Sequence, residues 1–124
     1  MKKLILLLIL SLVLLASPAM AQKRTTSDFI SPLGYCQLTS VSASTLVSSC
    51  SGGIPQSTGW ATLCVDTAAI RWRDDGTAPT ASVGMPIAAG QCFYYSGTFA
   101  TLRVIAQSGS PVVNISFYSG APRQ

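Results

Sequence analysis

The sequence predicts an all-β fold, a small antiparallel β-sandwich or jelly-roll-like domain that follows an N-terminal signal peptide. Apolar residues recur with the two-residue period of half-buried strands, most clearly at Val113, Ile115 and Phe117. Glycine and proline separate these short runs, and no stretch after Leu15 has helical spacing flanked by capping residues. Short strands at this spacing are typical of a sandwich, jelly roll or small barrel.

The first residues have the three parts of a secretory signal peptide. Residues 1–3 form a basic n-region, residues 4–15 an apolar run, and residues 17–21 a small-x-small cleavage motif before Gln22. A membrane anchor is the alternative, but a spanning helix needs roughly 20 apolar residues. Pro18 also interrupts the run. Cleavage after residue 21 is therefore expected, with no stable membrane span in the mature chain.

The mature chain is expected to contain one domain, because about 100 residues are too few for two independent cores. We predict a flexible leader over 22–34, a β-sandwich over 35–120 and a tail over 121–124. The predicted strands are 35–40, 45–49, 60–66, 68–74, 91–96, 99–107 and 112–118. Turn pairs such as Asp75-Gly76 and Ser108-Gly109 supply the chain reversals between them.

The mature chain carries little charge. Six basic and four acidic residues remain after the signal peptide, for a net charge of +2. The basic residues are Lys23, Arg24, Arg71, Arg73, Arg103 and Arg123, and the acidic ones are Asp28, Asp66, Asp74 and Asp75. A nucleic-acid interface needs clustered Lys and Arg on one face, so nucleic acid is not an expected partner.

Four cysteines, Cys36, Cys50, Cys64 and Cys92, follow the signal peptide. An even number in an exported chain indicates two disulfides, and three pairings are possible. If Leu63 and its inward-facing neighbours line the core, Cys64 points outward and needs a partner on an adjacent strand. Cys92 is the first choice, which leaves Cys36 with Cys50. That pair closes a loop for which the chain-entropy estimate is roughly 3 kcal/mol.

Enzymatic activity is not expected, and we assign no catalytic, cofactor-binding or metal-binding residue. The chain contains no histidine, which removes the commonest general base and the commonest partner of a nucleophilic serine or cysteine. Asp74 and Asp75 are adjacent, so they cannot both face one cleft from a strand end. Together with the Thr77 hydroxyl they offer too few oxygens for Ca²⁺, which takes six or more.

Two segments contain the residues most suited to contact a partner. Arg71, Trp72 and Arg73 precede the Asp-Asp-Gly turn, and Tyr94 and Tyr95 lie in a later strand. An exposed Trp between two arginines stacks well on a sugar or a headgroup, and tyrosines form aromatic platforms. The alternative is structural, with Trp72 in the core in phase with Ile70 and some tyrosines packed inside.

The run from Arg71 to Gly90, containing Arg-Trp-Arg-Asp-Asp-Gly-Thr-Ala-Pro-Thr-Ala, and the closing Asn-Ile-Ser-Phe-Tyr at 114–118 resemble a group of small tailed-phage proteins. The resemblance covers most of residues 35–118 and implies a compact β domain in a virion or prophage-encoded structural component. The export signal and the four cysteines depart from that group, because phage particles assemble in a reducing cytosol. The departure favours a relative redirected to the periplasm or the cell exterior.

These observations predict a secreted or periplasmic, disulfide-stabilised, non-enzymatic module that works by surface contact. A phage-related or prophage-related structural or interaction protein that self-associates is the first interpretation. Its expected partners are itself, as a homo-oligomer, or other virion or envelope proteins, and no cofactor is expected. The alternative is a module that binds carbohydrate or the cell envelope, with a glycan as partner.

Overall fold

The computed structural model describes residues 30–120, and the predicted signal peptide, the tail and most of the leader lie outside the described residues. Eight strands form two four-stranded antiparallel sheets that pack face to face, which confirms the predicted all-β sandwich. The strands are β1 (Pro32–Leu38), β2 (Thr45–Leu46), β3 (Trp60–Asp66), β4 (Ile70–Arg73), β5 (Met85–Ile87), β6 (Cys92–Tyr95), β7 (Arg103–Ala106) and β8 (Val112–Tyr118). A 3₁₀-helix covers Val47–Ser49.

The two sheets draw their strands from interleaved parts of the chain. Sheet 1 has the order β1-β8-β3-β6 and sheet 2 the order β2-β7-β4-β5. Strand β8 lies between β1 and β3, with Pro32 and Trp60 both opposite Tyr118. The described chain therefore begins and ends side by side, and the Ser119 N–H donates to the Ser31 carbonyl at 3.0 Å.

The core lies between the sheets and follows the alternation of the sequence. The most deeply buried side chains are 0 to 2 % exposed and come from both sheets and the loops around them: Val41, Val47, Ala61, Leu63, Val65, Ile70, Leu102, Val104, Val113, Ile115 and Phe117. Burying one side chain of this kind contributes roughly 1.5 to 3 kcal/mol. No polar or charged residue is buried within residues 30–120. Hydrophobic packing of the two inner faces therefore holds the sandwich together.

Local turns shorten three of the predicted strands. The strand predicted over 45–49 ends at Leu46, because the Cys50 N–H bonds back to the Val47 carbonyl at 3.2 Å and forms the 3₁₀ turn. The predicted strand 99–107 begins only at Arg103, after a turn in which the Thr101 N–H donates to the Thr98 carbonyl. The predicted strand 68–74 is observed over Ile70–Arg73.

Two further differences concern strands at the sheet edges. Strand β5 was not predicted, since three residues with Pro86 in the middle do not read as a strand. Strand β1 begins at Pro32 instead of residue 35, with a register shift between Pro32 and Gly34. Both edges carry a proline, which is common where a strand has only one neighbour.

Candidate functional site

The two disulfides have the expected pairing. Cys36 in β1 is bonded to Cys50, with Cα atoms 5.8 Å apart, and both residues are buried. Cys64 in β3 is bonded to Cys92 in β6, directly opposite in the register, with Cα atoms 4.0 Å apart. The first bond ties β1 to the segment after the 3₁₀-helix. The second joins the neighbouring strands β3 and β6 on the outer side of sheet 1 and so holds β6 at the edge of that sheet.

Arg71 projects from the outer side of sheet 2 and is held by the backbone of a nearby loop. Its Nε donates to the Ala81 carbonyl at 3.0 Å and its Nη1 to the Gly84 carbonyl at 2.8 Å. In the amide orientation that satisfies both groups, Gln107 Oε1 also accepts from Arg71 Nε and Nη2 at 2.9 and 3.1 Å. Gly84 has a φ of 132°, and a Cβ there would lie 3.0 Å from the Trp72 carbonyl oxygen. The loop can therefore lie close against β4 only with glycine at this position.

Arg73 projects from the same side and pairs with Asp75 in a two-point ion pair. Asp75 also accepts from the Thr77 N–H at 3.0 Å, which closes the Asp-Asp-Gly turn. The hydrogen bonds from Arg73 and from the Thr77 backbone lower the pKa of Asp75, and the bond to Asp75 raises the pKa of Arg73. Arg103 lies opposite Arg73 in the register. We call Arg71, Arg73 and Arg103 the arginine face.

Trp72 and Tyr95 point between the sheets. The Trp72 ring stacks on Phe93, with centroids 5.2 Å apart, and meets Tyr95 edge-on at 5.9 Å. The Tyr95 hydroxyl donates towards Asp74 Oδ2 at 3.2 Å and the Thr98 carbonyl at 3.3 Å. Burial, and then the Asp74 carboxylate, raise the pKa of Tyr95 to about 12. These contacts join the two sheets where β4 of sheet 2 packs against β6 of sheet 1.

An open cavity of about 520 Å³ lies beside Trp72. It is lined by Trp72, Arg73, Asp74, Asp75, Val83, Gly84 and Met85. Asp74 and Asp75 turn to different partners, Tyr95 and Arg73, so they do not form a carboxylate pair. Within residues 30–120 no group of three or more His, Cys, Asp or Glu side chains could hold a metal ion.

The outer side of sheet 1 carries a second, different surface. Tyr35, Ser116, Thr62 and Tyr94 lie opposite one another in register across β1, β8, β3 and β6. Three strand spacings separate the first from the last, a distance of about 14 Å. The two tyrosines at the ends of this row are 61 % and 75 % exposed. The row therefore has an exposed aromatic ring at each end and hydroxyl groups between them.

Two more groups complete this surface. On one side of the row, Trp60 stacks on Tyr118 with centroids 4.3 Å apart and meets Tyr94 edge-on at 5.7 Å. On the other side, Asn114 Oδ1 accepts from the Tyr35 hydroxyl at 2.6 Å and from Gln37 Nε2 at 2.8 Å. Trp60 is only 8 % exposed, so it supports the neighbouring rings. We call the whole set the aromatic face: Tyr35, Gln37, Trp60, Thr62, Tyr94, Asn114, Ser116 and Tyr118.

The five residues expected to contact a partner are divided by the fold. Arg71, Trp72, Arg73 and Tyr95 have partners within the chain, as described above. Tyr94 alone is largely exposed, and it lies on the aromatic face, away from the arginines. The other members of that face were not selected from the sequence, because they come together only through the strand order. The sequence indicates only that Asn114, Ser116 and Tyr118 share one side of β8, because they alternate with the apolar Val113, Ile115 and Phe117.

Comparison of the chain with protein-family models, with curated proteins and with solved structures finds no match. Among residues 30–120 no helix has the length and apolar character required to cross a membrane. The two disulfides in a small β domain agree with folding in an oxidising, extracellular or periplasmic environment.

Proposed function

We propose that the protein is an exported, non-enzymatic interaction module that binds uncharged polysaccharide through the aromatic face. The observation that supports this most directly is the row from Tyr35 to Tyr94, in which two exposed rings flank hydroxyl side chains on a continuous sheet. A sugar ring has an apolar face that packs on an aromatic ring and hydroxyls that need donors and acceptors. The row offers both along a length that a short oligosaccharide can follow.

The amide groups beside the row add directional contacts. Because Asn114 Oδ1 already accepts two hydrogen bonds, its Nδ2 is the group that donates to a ligand. Gln37 donates through Nε2 and keeps its Oε1 as an acceptor. The hydrogen bonds fix these side chains before a ligand arrives, which lowers the entropy lost on binding. Preformed polar groups next to exposed rings suit a carbohydrate better than a flexible peptide.

The charge of the surface favours a neutral ligand. The aromatic face contains no Asp, Glu, Lys or Arg, and the nearest acid in the register is Asp66, opposite Val112 at the far end of β3. Such a face has no charge that could attract a charged ligand from solution or form an ion pair with it. Neutral glucans and mannans are therefore the ligands we expect it to bind, in preference to uronate polymers or heparin.

Affinity electrophoresis of the mature, oxidised chain in gels with β-glucan or mannan tests the proposal. Tyr35→Ala and Tyr94→Ala should each weaken retardation, with the dissociation constant rising roughly tenfold, as for an exposed aromatic contact at a binding hot spot. Met85→Ala is the matched control, since Met85 is 58 % exposed beside the cavity at Trp72. It should bind as the unsubstituted chain does.

Two results would contradict the proposal. One is a chain that migrates freely in every neutral polysaccharide tested. The other is loss of binding in Met85→Ala with full binding in both tyrosine variants, which would move the site to the cavity. Retardation only by an acidic polymer would likewise exclude the aromatic face as the binding surface.

The second candidate is a phage-related structural component that self-associates. Two features support it. One is the resemblance of the segment Arg71–Gly90 to small tailed-phage proteins. The other is β6, an edge strand of sheet 1 that contains neither the proline nor the charged residue that usually prevents pairing with another chain. Genes for tail or capsid proteins beside this one would favour the structural role. Neighbouring genes for sugar uptake would favour polysaccharide binding instead.

A further inference from the structure

The four sheet edges of the sandwich differ in how they are protected from pairing with another strand. Strand β1 begins with Pro32 and a register shift, β5 has Pro86 at its centre, and β2 is only two residues long. Strand β6, Cys92–Tyr95, contains neither proline nor a charged residue. Exposed edges normally carry such devices, because an unpaired strand is a template for another chain. The unprotected edge is therefore a candidate interaction surface.

The register shows which backbone groups of β6 are free. Cys64 and Cys92 have Cα atoms 4.0 Å apart, the short spacing of a non-hydrogen-bonded pair in an antiparallel ladder. The pair Thr62 and Tyr94 lies two residues along and is of the same type. The N–H and C=O groups of Cys92 and Tyr94 therefore point away from β3. Within residues 30–120 no loop backbone bonds to them.

We propose that β6 pairs with β6 of a second copy of this chain, antiparallel and about a two-fold axis. Centring the pair on Phe93 places Cys92 of each copy opposite Tyr94 of the other. This register aligns the two residues whose N–H and C=O groups face the edge, so each group finds its complement. The two four-stranded copies of sheet 1 then form one continuous sheet.

The composition of β6 favours a second copy over a foreign peptide. In this register Phe93 lies opposite its own equivalent, and Cys92 and Tyr94 lie diagonal to theirs, so a charged residue at any of these positions would face a like charge nearby. No residue of β6 is charged, and Tyr94, 75 % exposed, lies opposite Cys92 of the second copy on the outer side. A four-residue edge buries little area, so the dimer should be weak and concentration-dependent. Pairing would also join two aromatic faces and raise avidity for a polymer.

Sedimentation velocity of the mature, oxidised chain without polysaccharide, over a concentration series, tests the pairing. The unsubstituted chain should shift from monomer to dimer as concentration rises. Tyr94→Pro removes an N–H that faces the free edge and leaves the ladder to β3 intact. It should raise the dimer dissociation constant at least about tenfold. The matched control Tyr94→Ala removes the same ring but keeps that N–H, so it should dimerise at least about tenfold more tightly than Tyr94→Pro.

Amide hydrogen exchange gives a second readout that does not depend on the proline variant. The Cys92 and Tyr94 amides should be protected only at concentrations where the dimer forms. Three results would each overturn the proposal. They are a monomer at every concentration, equal dimerisation of Tyr94→Pro and Tyr94→Ala, and amide exchange at Cys92 and Tyr94 that does not depend on concentration. Because no polysaccharide is present, its failure leaves glycan binding by the monomer unaffected.

Discussion

The outer sides of the two sheets use their long side chains in opposite ways. On the arginine face, Arg71 bonds to the carbonyls of Ala81 and Gly84, and Arg73 pairs with Asp75. On the aromatic face, Tyr94 and Tyr35 remain mostly in solvent at 75 % and 61 % exposure. The arginines stabilise the loop and the turn that follow β4. The tyrosines remain exposed to solvent, and for this reason the face with less charge is the one we propose as the binding surface.

In this comparison, the motif that is most conspicuous in the sequence is the one whose side chains already have partners within the chain. The arginines next to Trp72 are prominent in the sequence, yet a guanidinium has several donors and satisfies them with nearby carbonyls when a loop permits it. A tyrosine has only one hydroxyl to satisfy, so even Tyr35, whose hydroxyl donates to Asn114, stays mostly in solvent. The predictions that follow separate a structural role from a binding role on each face.

Removal of the Cys64–Cys92 disulfide should have the largest effect on stability. The bond closes the longer loop, with a sequence separation of 28, and is the one covalent link described on the outer side of sheet 1. Replacing both cysteines by alanine should lower the free energy of unfolding by about 3 kcal/mol, measured by urea denaturation. The comparison is the Cys36 and Cys50 pair, which closes a loop with a sequence separation of only 14, so its removal should cost somewhat less. An unchanged urea midpoint would show that β6 is held by packing alone.

Substitution of Arg71 should have the next largest effect. Arg71→Met keeps the apolar stem but leaves two carbonyls without their charged donor. The free energy of unfolding should therefore fall by about 2 kcal/mol. Tyr94→Ala is the contrasting variant on the other face and should lower stability by less than about 1 kcal/mol. Equal losses in the two variants would remove the distinction between a structural face and a binding face.

The smallest expected effect on stability concerns Tyr95, and it is lost only in alkaline solution. Its pKa is raised to about 12 from an ordinary value of 10.0, so the unfolded chain loses this proton first. The contribution of Tyr95 is therefore complete below about pH 10 and is lost as the pH rises towards about 12. Phenolate absorbance should show one late ionisation that is missing in Tyr95→Phe. If Tyr95→Phe instead removes an ionisation near the ordinary value of 10.0, the raised pKa of Tyr95 is contradicted.

Much of the fold was predictable because each central strand buries one side and exposes the other. In β3, Leu63 is buried while Cys64 turns outward, which was enough to favour Cys92 as its partner. The order of the strands was not predictable. The local alternation of apolar and polar residues indicates which side of a strand is buried. The order of the strands in a sheet depends instead on packing between segments that are distant in the sequence.

The aromatic face shows the same limit at the level of a site. Tyr94 was selected from its sequence neighbourhood, but Tyr35 and Asn114 lie on strands far away in the chain. Their approach depends on β8 being inserted between β1 and β3, and no short motif encodes that insertion. Strand β5 was missed for a local reason. Pro86 lowers the strand preference of a three-residue segment that pairs only with β4.

The adjacency of Ser31 and Ser119 has a practical consequence for engineering the domain. Because both ends of the described chain leave from the corner where β1 meets β8, a carrier attached at either end emerges from the same place. Strand β6 lies at the opposite edge of that sheet and stays clear of the attachment. A short linker joining the two ends, with new termini opened in an exposed loop, should give a circular permutant that retains the sandwich.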